Sequence, residues 1–205
     1  MARTAVALYE STGNSGHIDD TRKLTAQIDA YYRDENGGYF FAATDTPNLI
    51  TRTKNANDNA TPSGNGTFVG VFARMYYLTG DETFRTRAGS VVQEFTGEDT
   101  HNFFPLSTLL NSNELLNRGL QIAIIGHRAN SNPAALLDAL ENHSLPDRIL
   151  DDIAAAKHLP DGHPATGKDR IDGKPTAYVC QAPVCSLPMM TPAVLSAYLA
   201  INSTP

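Results

Sequence analysis

The chain has 205 residues, 41% hydrophobic and 19% charged, which describes an ordinary globular protein able to bury a sizeable core in one or two domains. Its 16 basic and 22 acidic residues leave a net charge of −6 with no basic cluster, so nothing points to a nucleic-acid partner. No apolar run is long enough to span a bilayer, Glu10 arrives too early for a signal peptide, and two cysteines cannot build a disulfide scaffold. The expectation is a cytoplasmic protein with reduced thiols.

In chain order, Ala2 to Ser11 reads as a helix closed by Thr12-Gly13. A second helix is expected from His17 to Arg33, with Leu24, Ile28, Tyr31 and Tyr32 along one face. Two β-rich runs, Tyr39 to Thr44 and Leu49 to Lys54, are joined by Asp45-Thr46-Pro47-Asn48, which predicts a β-hairpin excursion over Gly37 to Lys54. A central helix follows, carrying Phe68, Val71, Phe72, Met75 and Leu78 on one face and ending at Thr79-Gly80. Asp81 opens the next, with Phe84, Ala88, Val91, Val92 and Phe95 in helical period. A fifth helix spans Phe103 to Asn117, with Pro105 in its first turn.

An internal repeat emerges here. Leu8-Tyr9 before Thr12-Gly13 matches Met75-Tyr76 before Thr79-Gly80, and Leu24 and Ile28 fall against Val91 and Phe95 at the same offset. Helix, Thr-Gly turn, helix is the unit of stacked αα-hairpins. After Gly119 the character changes. Leu120 to Ile125, Arg148 to Ile153 and Thr176 to Cys180 read as strands, and Pro133 to Asn142 and Thr191 to Ile201 as helices. Strand, helix, strand predicts a small α/β unit with a partly parallel sheet. The division is therefore 1–118, helical, and 119–205, α/β.

The densest polar stretch runs from Asn55 to Gly66, N-A-N-D-N-A-T-P-S-G-N-G. Thr61 is the expected N-cap and Pro62 the first helical residue of the central helix. A first turn of Ser63, Gly64, Asn65 and Gly66 leaves its backbone N–H groups uncrowded, open to an anionic or hydroxyl-rich ligand. Asp58 is the candidate acid or base. In the bland reading, Asp58 and Asn59 only satisfy loop backbone. His158, Asp161 and His163 can be drawn as a metal site, although no further ligand spacing supports it. Gly126-His127-Arg128 ends a strand where α/β folds hold ligands. Cys180 and Cys185 fit neither a redox C-x-x-C motif nor half a zinc site; a disulfide between them is sterically possible, and two reduced, partly buried thiols are the expectation.

G-G-Y-F-F, L-I-T-R-T-K, D-N-A-T-P-S-G-N, L-T-G-D and A-Y-V-C-x-x-x-x-C-x-x-P follow one another along the chain. In this order they resemble the C-terminal half of the thioredoxin-domain proteins of the spermatogenesis-associated-protein type, over nearly the whole sequence. The resemblance implies a mainly α fold, part of an (α/α)6 toroid of the six-hairpin glycosidase and N-acylglucosamine epimerase type, with a small appended α/β piece. The family pattern K-x-x-x-D-G-A-x-P-S-G-N falls on Lys54, Asp58, Ala60, Pro62, Ser63, Gly64 and Asn65, with Asn59 where glycine is usual. The thioredoxin-like domain and the first half of the ring have no counterpart in the sequence.

Together these readings place a carbohydrate-like ligand against Arg52, Lys54, Asn59, Ser63, Gly64 and Asn65, with Asp58 as the catalytic candidate and no cofactor or metal. The alternatives are a non-catalytic binding or regulatory scaffold and, trailing it, a thiol-redox or metal-binding protein. An incomplete ring also predicts self-association, or pairing with a missing N-terminal half.

Overall fold

The computed structural model describes residues 1–97, 102–126, 134–153, 163–181 and 184–202. Helix dominates, with one small sheet. The chain divides into two compact units, one of 1–9, 14–76 and 81–117, the other of 10–13, 77–80 and 118–205.

The first unit is built on α1 (Ala2–Thr12), α2 (Gly16–Tyr32), α3 (Gly64–Thr79), α4 (Glu82–Phe95) and α5 (Ser107–Arg118), the ends of α1, α3 and α5 counting with the second unit. Both α1 and α3 end on threonine, and the glycine after each, Gly13 and Gly80, takes the left-handed conformation at φ 67° and 68°. The two expected helix stops are thus made alike. Asp81 caps α4 by accepting from the Thr83 N–H at 2.9 Å.

Phe72 of α3 stacks on Phe84 of α4 with ring centroids 6.0 Å apart. Asp29 of α2 pairs with Arg87 of α4 at 2.7 Å and accepts the Tyr39 hydroxyl at 2.7 Å. Burial, reinforced by that carboxylate, pushes the Tyr39 phenol well above its usual range. A Cβ on Gly66 would lie 2.7 Å from Ser63 Oγ and 2.8 Å from the Leu109 nitrogen, and one on Gly70 would lie 3.0 Å from Ser112 Oγ. Glycines one turn apart on α3 therefore let α5 approach its backbone closely.

Three expectations need correction. The central helix begins at Gly64, not at Pro62, because Ser63 supplies the cap by accepting the Gly66 N–H at 3.1 Å. Pro105 sits in a short 3-10 helix, Phe104–Leu106, ahead of α5. The excursion over 37–54 contains no regular strand and hence no β-hairpin. An isolated bridge ties Tyr39 to Arg33, and between the two expected strand runs Phe41 N–H bonds Thr53 O at 2.9 Å. The excursion's backbone is satisfied instead by the Tyr31 and Tyr32 carbonyls at the end of α2, at 2.8 Å each, and by the side chains of Arg52, Lys54 and Asn65.

The second unit carries β1 (Leu120–Ile125), α6 (Ala134–Glu141), β2 (Arg148–Ile153), β3 (Thr176–Gln181), β4 (Val184–Cys185) and α7 (Pro192–Asn202). The sheet order is β2-β1-β3-β4, with β1 and β2 parallel and the other pairs antiparallel. The partly parallel sheet matches the expectation, while β4, at two residues, was not foreseen. Ile122, Ile124, Leu150, Ala177 and Val179 pack in one cluster with Leu136, Leu140, Leu195 and Leu199 of α6 and α7. The opposite face carries Ala123, Ile125, Ile153, Tyr178 and Cys180, packed with Ala165.

The reading of Cys180 and Cys185 as reduced thiols is also overturned, since they form a disulfide. Antiparallel pairing of β3 and β4 sets the two residues directly opposite each other.

Candidate functional site

The stretch from Asn55 to Gly66 folds back on itself through its own polar side chains. Asp58 Oδ1 accepts the Ser63 N–H at 2.8 Å and Oδ2 accepts the Thr108 N–H at 2.7 Å. One carboxylate therefore joins the residue before α3 to the first turn of α5. Partial burial would raise the Asp58 carboxyl, but the Ser63 and Thr108 N–H groups outweigh it and hold it below the ordinary value. Asn65 is buried, accepts the Tyr39 N–H at 2.8 Å, and donates to the carbonyls of Tyr39 and Asn55, both at 2.9 Å. It pairs with Tyr39 as a neighbouring strand would.

Arg52 donates to the carbonyls of Ala42 and Tyr31 at 3.0 and 2.9 Å and lies 4.1 Å from the centroid of the Phe40 ring. Lys54 contacts Gly37 O at 2.8 Å, Asp34 at 2.7 Å and Glu94 at 2.6 Å, which engages all three of its N–H donors. Burial opposes its charge, yet the two carboxylates raise its pKa, and Lys54 in turn lowers that of Asp34. Asn59 is exposed and accepts the Ala60 N–H at 2.9 Å.

Beside this scaffold lies a cleft of about 690 Å³, within the range of small-molecule sites. Met1, Ala2 and Arg3 of the α1 start, Leu24, Gln27, Ile28, Tyr31 and Tyr32 of α2, and Gly64, Thr67, Phe68 and Val71 of α3 line it, with Ala43 and Asp45 from the excursion. Of the ligand-site residues expected from the sequence, Gly64 belongs to this lining. Arg52, Lys54, Asp58, Asn59, Ser63 and Asn65, expected against the ligand, are not among the residues that line it.

The sequence signal that reaches the cleft is the stripe on α2. Leu24, Ile28, Tyr31 and Tyr32 stay partly open, Tyr31 at 45% exposure, whereas Thr21 and Thr25 are buried at 0% and 1%. The helix turns its threonines inward and its aromatic residues toward the opening. Thr21 and Thr25 satisfy their hydroxyls on the His17 and Arg22 carbonyls, which makes that burial tolerable.

In the second unit, His163 is buried and paired with Asp151 at 2.8 Å. Its Nδ1 accepts the Ala165 N–H at 3.1 Å, and its Nε2 lies 2.8 Å from Asp151 Oδ2 and 3.3 Å from the Gln121 amide nitrogen. His101, His127, Arg128, His158 and Asp161 lie outside the described residues. Among the described residues, no group of three or more His, Cys, Asp or Glu side chains is arranged to hold a metal ion. None of the described helices is long and apolar enough to cross a membrane.

No protein-family model matches the chain. It is similar to spermatogenesis-associated protein 20 of Homo sapiens, 24% identical over 208 residues, covering 95% of this chain and 26% of the human protein. The protein of that name from Rattus norvegicus is 23% identical over 211 residues, and that from Mus musculus 22% over 208 residues. The chain thus spans about a quarter of the length of the relatives it matches. The similarity runs through both units.

Proposed function

We propose that the chain binds a carbohydrate-like, hydroxyl-rich small molecule in the cleft of its first unit. The observation that carries this reading is the outward-turned aromatic stripe of α2, with Tyr31 and Tyr32 opposite Phe68 of α3 in one lining. Flat aromatic faces receive the C–H faces of a sugar ring, and Arg3, Gln27, Asp45 and Thr67 supply donors and acceptors for its hydroxyls. The helix pairs α1–α2 and α3–α4 are read as successive hairpins of a six-hairpin ring, whose other members come from a further segment or a partner chain.

Binding fits the lining better than glycosidic cleavage does. Cleavage ordinarily uses two carboxyl groups flanking the bond, and Asp45 is the one carboxylate among the described residues of the cleft. Asp58 would have to release two backbone N–H groups before serving as an acid or base.

The test is a saturation-transfer NMR screen of monosaccharides and disaccharides against the folded chain, followed by tyrosine fluorescence titration of any hit, which the absence of tryptophan keeps readable. Binding that disappears in Tyr31→Ala, with thermal stability retained, supports the proposal. A panel with no hit, or a hit indifferent to Tyr31 and Phe68, overturns it.

A further inference from the structure

The Cys180–Cys185 disulfide joins two unequal sulfurs. Cys180 is 4% exposed in the middle of the sheet, while Cys185 is half-buried on the edge strand β4, next to Val184 at 69% exposure. An external thiol can therefore reach Cys185 and not Cys180. The returning strand does not depend on the bridge for its place. Ser186 N–H bonds Val179 O at 2.8 Å, and Ala177 and Met189 exchange backbone bonds at 2.8 and 2.9 Å. Opening the disulfide leaves that pairing intact.

The surroundings of the inner sulfur also favour a thiol. Gln121 on β1 is the direct antiparallel partner of Cys180, so the two side chains share one face at neighbouring distance. The Gln121 amide nitrogen donates to Tyr77 O at 2.9 Å, but its oxygen, in a residue 1% exposed, has no hydrogen-bond partner among the described residues. A buried acceptor left unmade is costly. The disulfide offers it no donor, whereas a Cys180 S–H would be one on the residue directly across the strand pair.

We propose that Cys180 and Cys185 form a thiol–disulfide exchange site, Cys185 reacting with an external dithiol and Cys180 resting as a buried thiol hydrogen-bonded to Gln121. In the forward step a thiolate of the dithiol attacks Cys185 Sγ. The S–S bond breaks with its electron pair going to Cys180 Sγ, which takes up a proton from water. The second thiolate then attacks the reductant's own sulfur in the mixed disulfide and releases Cys185, which is protonated in turn. The dithiol leaves as a disulfide, and its two electrons and two protons match those gained by the cysteine pair.

The experiment equilibrates the folded chain with dithiothreitol redox buffers, quenches with an alkylating reagent and counts labelled thiols by mass, with circular dichroism followed in parallel. The expected result is full, reversible reduction with the far-ultraviolet spectrum unchanged. Cys185 in Cys180→Ser should react with a disulfide reagent at least roughly tenfold faster than Cys180 in Cys185→Ser, in line with thiol exposure. Gln121→Leu should move the equilibrium toward the disulfide by roughly five- to tenfold, the worth of one hydrogen bond. Gln121→Met replaces it if the leucine variant does not fold. Reduction that occurs only with unfolding, equal reactivity of the two cysteines, or an equilibrium indifferent to residue 121 would each overturn the proposal.

Discussion

Replacing Asp58 tests how the polar stretch before α3 is used. Its two oxygens accept N–H groups at 2.8 and 2.7 Å from Ser63 and Thr108, which lie at two different helix starts. Loss of a helix-start acceptor costs about 1 kcal/mol, with a range of roughly 0.5–2, so Asp58→Ala should lose about 2 and at most about 4 kcal/mol. For a chain of this length that is a fall of about 4–16 °C in melting temperature. Asp58→Asn keeps one acceptor and should fall between. The pH dependence has a definite sign. Because the folded pKa is lowered, the stabilisation is fully present above the unfolded carboxyl value of about 3.9 and disappears as pH drops through the folded value. Thermal melts from pH 7 to pH 3 should show a constant gap between wild type and Asp58→Ala down to about pH 5, closing below it. A gap under about 0.5 kcal/mol at pH 7, or one that widens in acid, would refute the reasoning.

Gly66→Ala should destabilise by roughly 1–3 kcal/mol because its Cβ would meet the Leu109 nitrogen at 2.8 Å. Gly89→Ala, in open space within α4, should stabilise by roughly 0.5–1 kcal/mol, and paired denaturant melts check both signs. Changing Cys180 and Cys185 together to serine should leave a sugar titration of the cleft unchanged, since no cysteine lines it, and a shifted midpoint would count against that separation. The isolated chain should self-associate, because Phe104 at 89% and Leu8 at 42% exposure leave apolar surface on the helical unit. Light scattering after size exclusion decides, and a monomer that binds no hydrophobic dye would contradict it.

Much of the α/β unit was readable because a strand buried on both faces leaves a nearly unbroken apolar run, as Leu120 to Ile125 does with Gln121 its one polar member. The two-residue β4 carries too little pattern for any periodicity to register. The excursion misled for a different reason. Its alternating residues look like a hairpin, but its own Arg52 and Lys54 side chains bind its carbonyls, and Asn65, from α3, takes its Tyr39 N–H. Asp58 reads locally as a loop residue, and its second partner, Thr108, is 50 residues away. On α2 the stripe itself was legible, but periodicity cannot say whether an apolar face meets core or cleft. That required the buried positions of Thr21 and Thr25.

The discontinuity of the second unit bears on how the chain is made. Glu10 Oε1 accepts the Leu150 N–H at 3.1 Å across 140 residues, and the Tyr77 carbonyl waits for Gln121. A ribosome therefore exposes both acceptors well before the strands that use them exist. Loop closure over such spans costs entropy that only the finished sheet repays, so this unit should be the late event in folding. A piece cut at Arg118 would carry every strand of the sheet, yet lack the Glu10 and Tyr77 segments. Expressed alone it should fold poorly, and peptides supplying those segments should rescue it.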